Sequence, residues 1–191
     1  MAYVLSSRDP ILILGGTGKV GRRIADQLAS AAIPALVASR SGKAPESKWL
    51  TGVKFDWFDE STWDSPWNAA GEHAVRAVHI IAPPIIDSAD IMIKFVDFAL
   101  AKGTRRFVLQ SGTPIEAGDE WGIGQLHAYV RRLGNEGKCD WAALRPTWFM
   151  GITPDMVTGI VERLTKRYRE LFRDAGPHGR HQEGGEDLLC H

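Results

Sequence analysis

Ile11-Leu12-Ile13-Leu14-Gly15-Gly16-Thr17-Gly18-Lys19-Val20-Gly21 decides the fold. Its first four residues are wholly apolar and read as a short buried strand. Glycines follow at 15, 18 and 21, and Val20, Ile24 and Leu28 then recur at helical spacing over residues 19–31. Gly15 permits a tight turn. Gly18 lets the backbone approach a pyrophosphate with no Cβ in the way, and Gly21 lets the helix pack close to the sheet. The helix N-terminus presents unpaired N–H groups and the positive end of its dipole to the phosphates. In this strand–turn–helix setting Gly15, Gly16, Thr17, Gly18, Lys19, Val20 and Gly21 are expected to form a dinucleotide site. The other reading is a glycine-rich turn in a sheet that has lost its ligand.

Outward from that turn, apolar runs alternate with helical patterns. Strands are expected at 35–38, 53–57, 77–82, 106–110 and 141–144, and helices at 91–102 and 126–133. Near-continuous apolar strands between helices mean a parallel sheet covered on both faces. The expected fold is α/β, a Rossmann-type doubly wound parallel sheet over residues 1–150 that stops after its sixth strand.

Composition narrows the function. The 23 basic residues balance the 23 acidic ones, which favours neither nucleic acid nor an anionic membrane as partner. Cys139 and Cys190 make no metal or disulfide pattern, as expected in a reducing compartment. Residues 1–9 lack a signal-peptide core, and no apolar run is long enough to span a bilayer. The expectation is a cytoplasmic protein handling a small molecule, without a metal. Its oligomeric state is not legible.

The second strand selects the cofactor. NAD enzymes commonly place an acid at its end to bind the ribose diol. Here the chain reads Ala38-Ser39-Arg40-Ser41. Arg40 can meet a 2′-phosphate with its guanidinium fork and Ser39 or Ser41 can add a hydroxyl, so NADP (NADPH) is expected. The plain alternative is a surface arginine. Asp56, read as the end of the third strand, either caps the adenine edge or is a solvated loop acid. Ala82, before Pro83 and Pro84, either borders the cofactor path or stops a strand. Ser111, after the fifth strand, either lines the pocket or ends the strand on a backbone hydrogen bond.

Residues 151–191 read differently. Thr153-Pro154-Asp155 opens a helix over 154–174, with Val157, Ile160, Val161, Leu164, Tyr168, Leu171 and Phe172 on one face. Gly, His and charge dominate from Gly176 on, as in disordered chain.

Five segments together carry a family resemblance: Ile13-Leu14-Gly15-Gly16-Thr17-Gly18, Val53-Lys54-Phe55-Asp56-Trp57, Arg106-Phe107-Val108-Leu109, Gly124-Gln125-Leu126-His127 and Leu144-Arg145-Pro146-Thr147-Trp148-Phe149-Met150. They resemble the festuclavine and agroclavine dehydrogenases of fungal ergot alkaloid biosynthesis, which are NmrA-like, atypical short-chain dehydrogenases. The resemblance implies an oxidoreductase that uses NADPH to reduce a cyclic iminium of an indole alkaloid to an amine. It also implies an alternative, a non-catalytic NADP-binding regulator, as other NmrA-like proteins are.

Ordinary short-chain dehydrogenases deliver a proton through a tyrosine and a lysine four residues later. Here Tyr129 is followed at that spacing by Leu133. An iminium already carries the charge that protonation would create, so its reduction needs no proton donor, and no catalytic acid is named. His127 either faces substrate or is an exposed helix histidine. Trp148 and Phe149 either wall an aromatic substrate or belong to the core.

After Met150 the resemblance stops. The family continues with Glu-Asn-Phe-Ser-Glu, whereas this chain reads Gly151-Ile152-Thr153. Shifted by one base, codons for the segment from Arg169 can yield that family sequence. Gly151-Ile152 can encode a splice donor and Tyr168-Arg169 an acceptor. The expectation is that 151–169 is translated intron and the remainder frame-shifted exon, so that the substrate side of the enzyme is truncated and inactive. On that reading the 154–174 helix is accidental. A genuine short paralogue with its own C-terminal helix is the alternative.

Overall fold

The protein is seen in a computed structural model that describes residues 8–85 and 87–147. The chain alternates β1 (Ile11–Ile13), α1 (Lys19–Ser30), β2 (Ala35–Ser39), β3 (Leu50–Lys54), α2 (Ser65–Ala70), β4 (Ala77–Ile81), α3 (Ala89–Ala101), β5 (Arg106–Gln110), α4 (Gly122–Asn135) and β6 (Asp140–Leu144). All pairings are parallel, and the six strands lie in the order β3-β2-β1-β4-β5-β6. That order reverses direction between β1 and β4. Doubly wound sheets bind ligands beyond the strands' carboxyl ends at such a reversal.

The two faces are covered unequally. On one, α1 seals Ile13, Ala35, Val37 and Leu50 with Ala25 and Leu28. On the other, α3 and α4 bury Met92, Phe95, Val96, Leu126, Val130 and Leu133 against Leu12, Leu36, Val78, Ile80, Phe107 and Leu109. Phe95 is fully buried in edge-to-face contact with Phe55, Trp57 and Trp63, each at centroid separations of 5.3–5.4 Å. Aromatic pairs in this arrangement add to the gain from burial alone. They fix α3 over the segment that follows β3.

Two elements are displaced from expectation. The third strand runs over Leu50–Lys54, not 53–57. Gly52 at its centre hides the pattern, yet it is required: a Cβ there would stand 2.2 Å from the Gly42 carbonyl oxygen. The helix expected at 126–133 begins at Gly122. Gly122 and Gly124 mask its first turn, and both sit where Cβ atoms would collide, with Ser88 Oγ at 2.6 Å and Asp119 Cβ at 2.8 Å. The short α2 and a 3₁₀ turn at Glu60–Thr62 were not expected at all, because six and three residues are too few to set up a period. The helix expected over 154–174, the tail, Trp148 and Phe149 lie outside the described residues.

Candidate functional site

The glycine turn sits at the point of strand reversal. Gly15 has φ +64°, a conformation open to glycine at little cost. Its near neighbour is β4: a Cβ at Gly15 would lie 3.5 Å from Ile81 Cβ. Gly16 N–H donates to the Ala38 carbonyl at 2.9 Å, which ties the turn to β2, and a Cβ there would meet Val37 Cγ1 at 2.7 Å. A Cβ at Gly21 would lie 2.4 Å from the Gly15 carbonyl oxygen, so this glycine lets the helix close on its own turn.

Gly18 is different. A Cβ there meets the Gly15 carbonyl oxygen at 3.2 Å, a tight contact but a milder one than at Gly16 or Gly21. Gly18 is the N-cap of α1, with no side-chain cap bond, and the first turn of α1 holds no acid. The turn thus carries neither a cap from Gly18 nor an acid of its own, and this arrangement fits a pyrophosphate. Thr17 and Lys19 are exposed around it and Val20 is half-buried.

At the end of β2, Ser39 is buried and Arg40 exposed, and Ser39 Oγ lies 3.3 Å from Ser41 Oγ. Asp56 lies two residues past β3 and does not end it. Its carboxylate Oδ1 accepts the Phe58 N–H at 3.0 Å and its carbonyl accepts Trp63 Nε1–H at 3.1 Å. Asp56 thus shapes its own loop, an Asx-type role. Ala82 is half-buried beside the larger core cluster.

Ser111 follows β5. Its N–H donates to the Leu144 carbonyl at 2.9 Å, while its buried Oγ has no hydrogen-bond partner among the described residues. His127 departs from the expectation of an exposed helix residue: it is buried on α4, edge-on to Trp141 at 5.1 Å. Burial first, then the charges of Arg131 and Arg145, hold its imidazole below the usual range, with Glu116 opposing. Its position between Leu126 and Ala128 on an amphipathic helix gave no sign of this.

Tyr129 donates its hydroxyl to the Asp97 carboxylate of α3. Burial and that bond push its phenol up to about 12. The hydroxyl is held between two helices, and Leu133, where a lysine would be needed, is buried in the core. Three large apolar side chains are exposed on loops leaving the carboxyl ends of successive strands: Phe58 after β3, Ile85 after β4 and Trp121 after β5. Sequence reasoning missed all three, since each lies outside any periodic segment. Among the described residues no group of His, Cys, Asp and Glu could hold a metal ion, and no helix is long and apolar enough to cross a membrane.

No protein-family model matches the chain. Festuclavine synthase I of Penicillium roqueforti is 43% identical over 143 residues, which cover 73% of this chain and 48% of that protein. Agroclavine dehydrogenase of Claviceps fusiformis is 38% identical over 141 residues, covering 73% and 47%. The chain thus spans about half the length of these relatives. Among solved structures, a nucleoside-diphosphate-sugar epimerase from Staphylococcus aureus superposes with a TM-score of 0.57 at 17% identity, covering 83% of this chain and 56% of its own. The UDP-glucose 4-epimerase of Thermus thermophilus in complex with NAD gives 0.55 at 15% identity, covering 71% and 54%. At such identities the structural likeness speaks for the fold.

Proposed function

We propose, on the premise that this chain is a relative of the festuclavine and agroclavine dehydrogenases across its Rossmann-type part, that it belongs to an NADP-dependent reductase of clavine alkaloid metabolism. Its substrate would be a cyclic iminium, reduced to the amine. The cofactor would supply the hydride. The chain's own work is to bind and orient: the α1 N-terminus and Gly18 receive the pyrophosphate, and Arg40 with Ser39 receives the 2′-phosphate. Ser111, at the end of β5, would border the reacting end of the crevice. The NAD complex of the Thermus epimerase supports a nicotinamide dinucleotide in this fold.

The observation that carries the iminium reading is the placement of Tyr129. Its hydroxyl is committed to Asp97, and no lysine stands four residues on. A carbonyl acceptor needs a proton as hydride arrives, whereas an iminium becomes a neutral amine without one. The exposed Ile85 and Trp121, which follow the neighbouring strands β4 and β5, suit a flat, apolar indole better than a sugar.

The test is NADPH oxidation with an iminium formed in place from the aldehyde and secondary amine of one clavine-like precursor. Deuterium from labelled NADPH should appear on the former iminium carbon. Tight NADPH binding with no turnover of any cyclic iminium, by this chain and also by one joined to the C-terminal half of a relative, would replace this reading with the non-catalytic, cofactor-sensing one.

A further inference from the structure

Ser39 and Lys54 are register partners at the carboxyl ends of β2 and β3, so their side chains leave the same face of the sheet. That face is the one covered by α1. Beyond Ser39 the chain turns at once. The Gly42 N–H donates to the Ser39 carbonyl at 3.1 Å, which makes Arg40 and Ser41 the central residues of a β-turn. The same carbonyl accepts the Phe55 N–H at 2.9 Å, which anchors the turn beside Lys54. Gly42, at φ +67°, is laid on that lysine: a Cβ there would stand 3.3 Å from Lys54 N and 3.6 Å from its Cα. Two hydroxyls, Ser39 Oγ and Ser41 Oγ, lie 3.3 Å apart within the turn. Lys54 is exposed, and neither it nor Arg40 forms an ion pair among the described residues.

We propose that Lys54 is the second cation of the 2′-phosphate pocket and sets NADP preference jointly with Arg40. The inference rests on the NADP reading above and adds a residue to it. A phosphomonoester carries a charge of roughly −1.5 to −2 near neutral pH, more than one exposed guanidinium balances. The turn supplies the planar fork from one side. The strand supplies a point charge from the other, with two hydroxyls between them as donors. The lysine is the last residue of a five-residue edge strand, on the same side as Leu50 and Gly52, and that alternation is what brings it to this face.

The experiment titrates the full chain and its variants with NADPH and NADH, and separately with 2′-AMP and 5′-AMP. Lys54→Gln should weaken NADPH binding by about tenfold, which is ~1.4 kcal/mol, the scale of one charge-assisted hydrogen bond, and leave NADH within about twofold. Lys54→Arg should keep most of the preference. The parent's preference for 2′-AMP over 5′-AMP should shrink in Lys54→Gln and fall with added salt. Equal binding of NADPH and NADH by the parent would overturn the NADP reading itself. A preference lost in Arg40→Ala but intact in Lys54→Gln would overturn the assignment of Lys54 alone. A preference lost in Lys43→Gln in place of Lys54→Gln would move the second cation to the loop and overturn it equally.

Discussion

Thr113 and Arg145 hold each other through two reciprocal hydrogen bonds. Thr113 Oγ1 donates to the Arg145 carbonyl at 3.0 Å, and Arg145 Nη2 donates to the Thr113 carbonyl at 2.7 Å. The Thr113 N–H also donates to the Pro146 carbonyl at 3.1 Å, and the Arg145 guanidinium pairs with Glu116. The β5–β6 pairing is thereby carried past the end of the sheet, and the loop that leads to α4 is fastened to it. The Leu-Arg-Pro-Thr segment, which reads from sequence as a family signature, acts here as a structural clasp.

Arg145→Ala should therefore loosen residues 111–121 and cost about 1–2 kcal/mol, the loss of a few hydrogen bonds on a partly exposed group. Hydrogen exchange should speed up at Thr113 and Ile115 while the central strands keep their protection. Arg145→Lys should restore little, because an ammonium cannot span the carbonyl and the carboxylate as the fork does. Unchanged exchange in the loop would show that the clasp carries no stability.

Replacing the turn glycines should separate binding from folding. Gly18→Val places its side chain toward the ligand and should abolish dinucleotide binding, with a melting temperature close to the parent's. Gly16→Val drives carbon into Val37, where 2.7 Å is already too close for a Cβ, and should destabilise the fold itself. Calorimetric titration and thermal melts distinguish the two outcomes. Gly18→Val binding NADPH as tightly as the parent would remove the turn as the phosphate site.

Arg40→Ala should weaken NADPH binding far more than NADH binding, since only the former offers a phosphate to the guanidinium. A loss of one order of magnitude or more for NADPH is expected, from ~1.5–3 kcal/mol for a hydrogen bond to a charged group. Equal losses for both cofactors would mean that Arg40 acts through the turn and not on the 2′-phosphate.

Tyr129→Phe, compared with its parent in a chain joined to the C-terminal half of a relative, should leave iminium reduction near the parent rate and cost about 1 kcal/mol of stability through the lost bond to Asp97. A fall in turnover of a hundredfold or more, with NADPH affinity intact, would make Tyr129 a proton donor and defeat the argument from its placement.

His79 lies buried on β4, paired with Ile13 and Val108, and burial holds its imidazole below the usual range. The unfolded chain takes a proton at the ordinary value of about 6.5, and the folded chain takes it only at lower pH. Stability is thus complete above about pH 6.5 and falls as the pH drops from there toward the folded-state value. His127 works in the same direction. Urea midpoints should decline over this window, and His79→Leu should decline less steeply. A variant profile as steep as the parent's would clear His79 of any part in it.

Some of this was open to reading along the chain. The turn from Gly15 to Gly21 is recognisable because its glycines recur at a fixed spacing between an apolar run and a helical one. Arg106–Gln110 was located at both ends because an unbroken apolar run is its own signal. The strand through Gly52 and the first turn of α4 through Gly122 and Gly124 were not, because the glycines that permit close approach also erase the apolar period. Exposed Phe58, Ile85 and Trp121 and buried His127 have no local signature of any kind.

The sequence by itself determined the alternation of strands and helices, the glycine turn, the lack of an acid after β2 and of a lysine four residues beyond Tyr129. These are facts of spacing along one chain, and periodicity records them. The tertiary structure decided who stands beside whom. It set β1 against β4 so that Gly15 meets Ile81, laid Gly42 over Lys54, turned Tyr129 to Asp97 and closed Thr113 on Arg145. Lateral order and register arise from packing between segments distant in sequence, and no local pattern carries them.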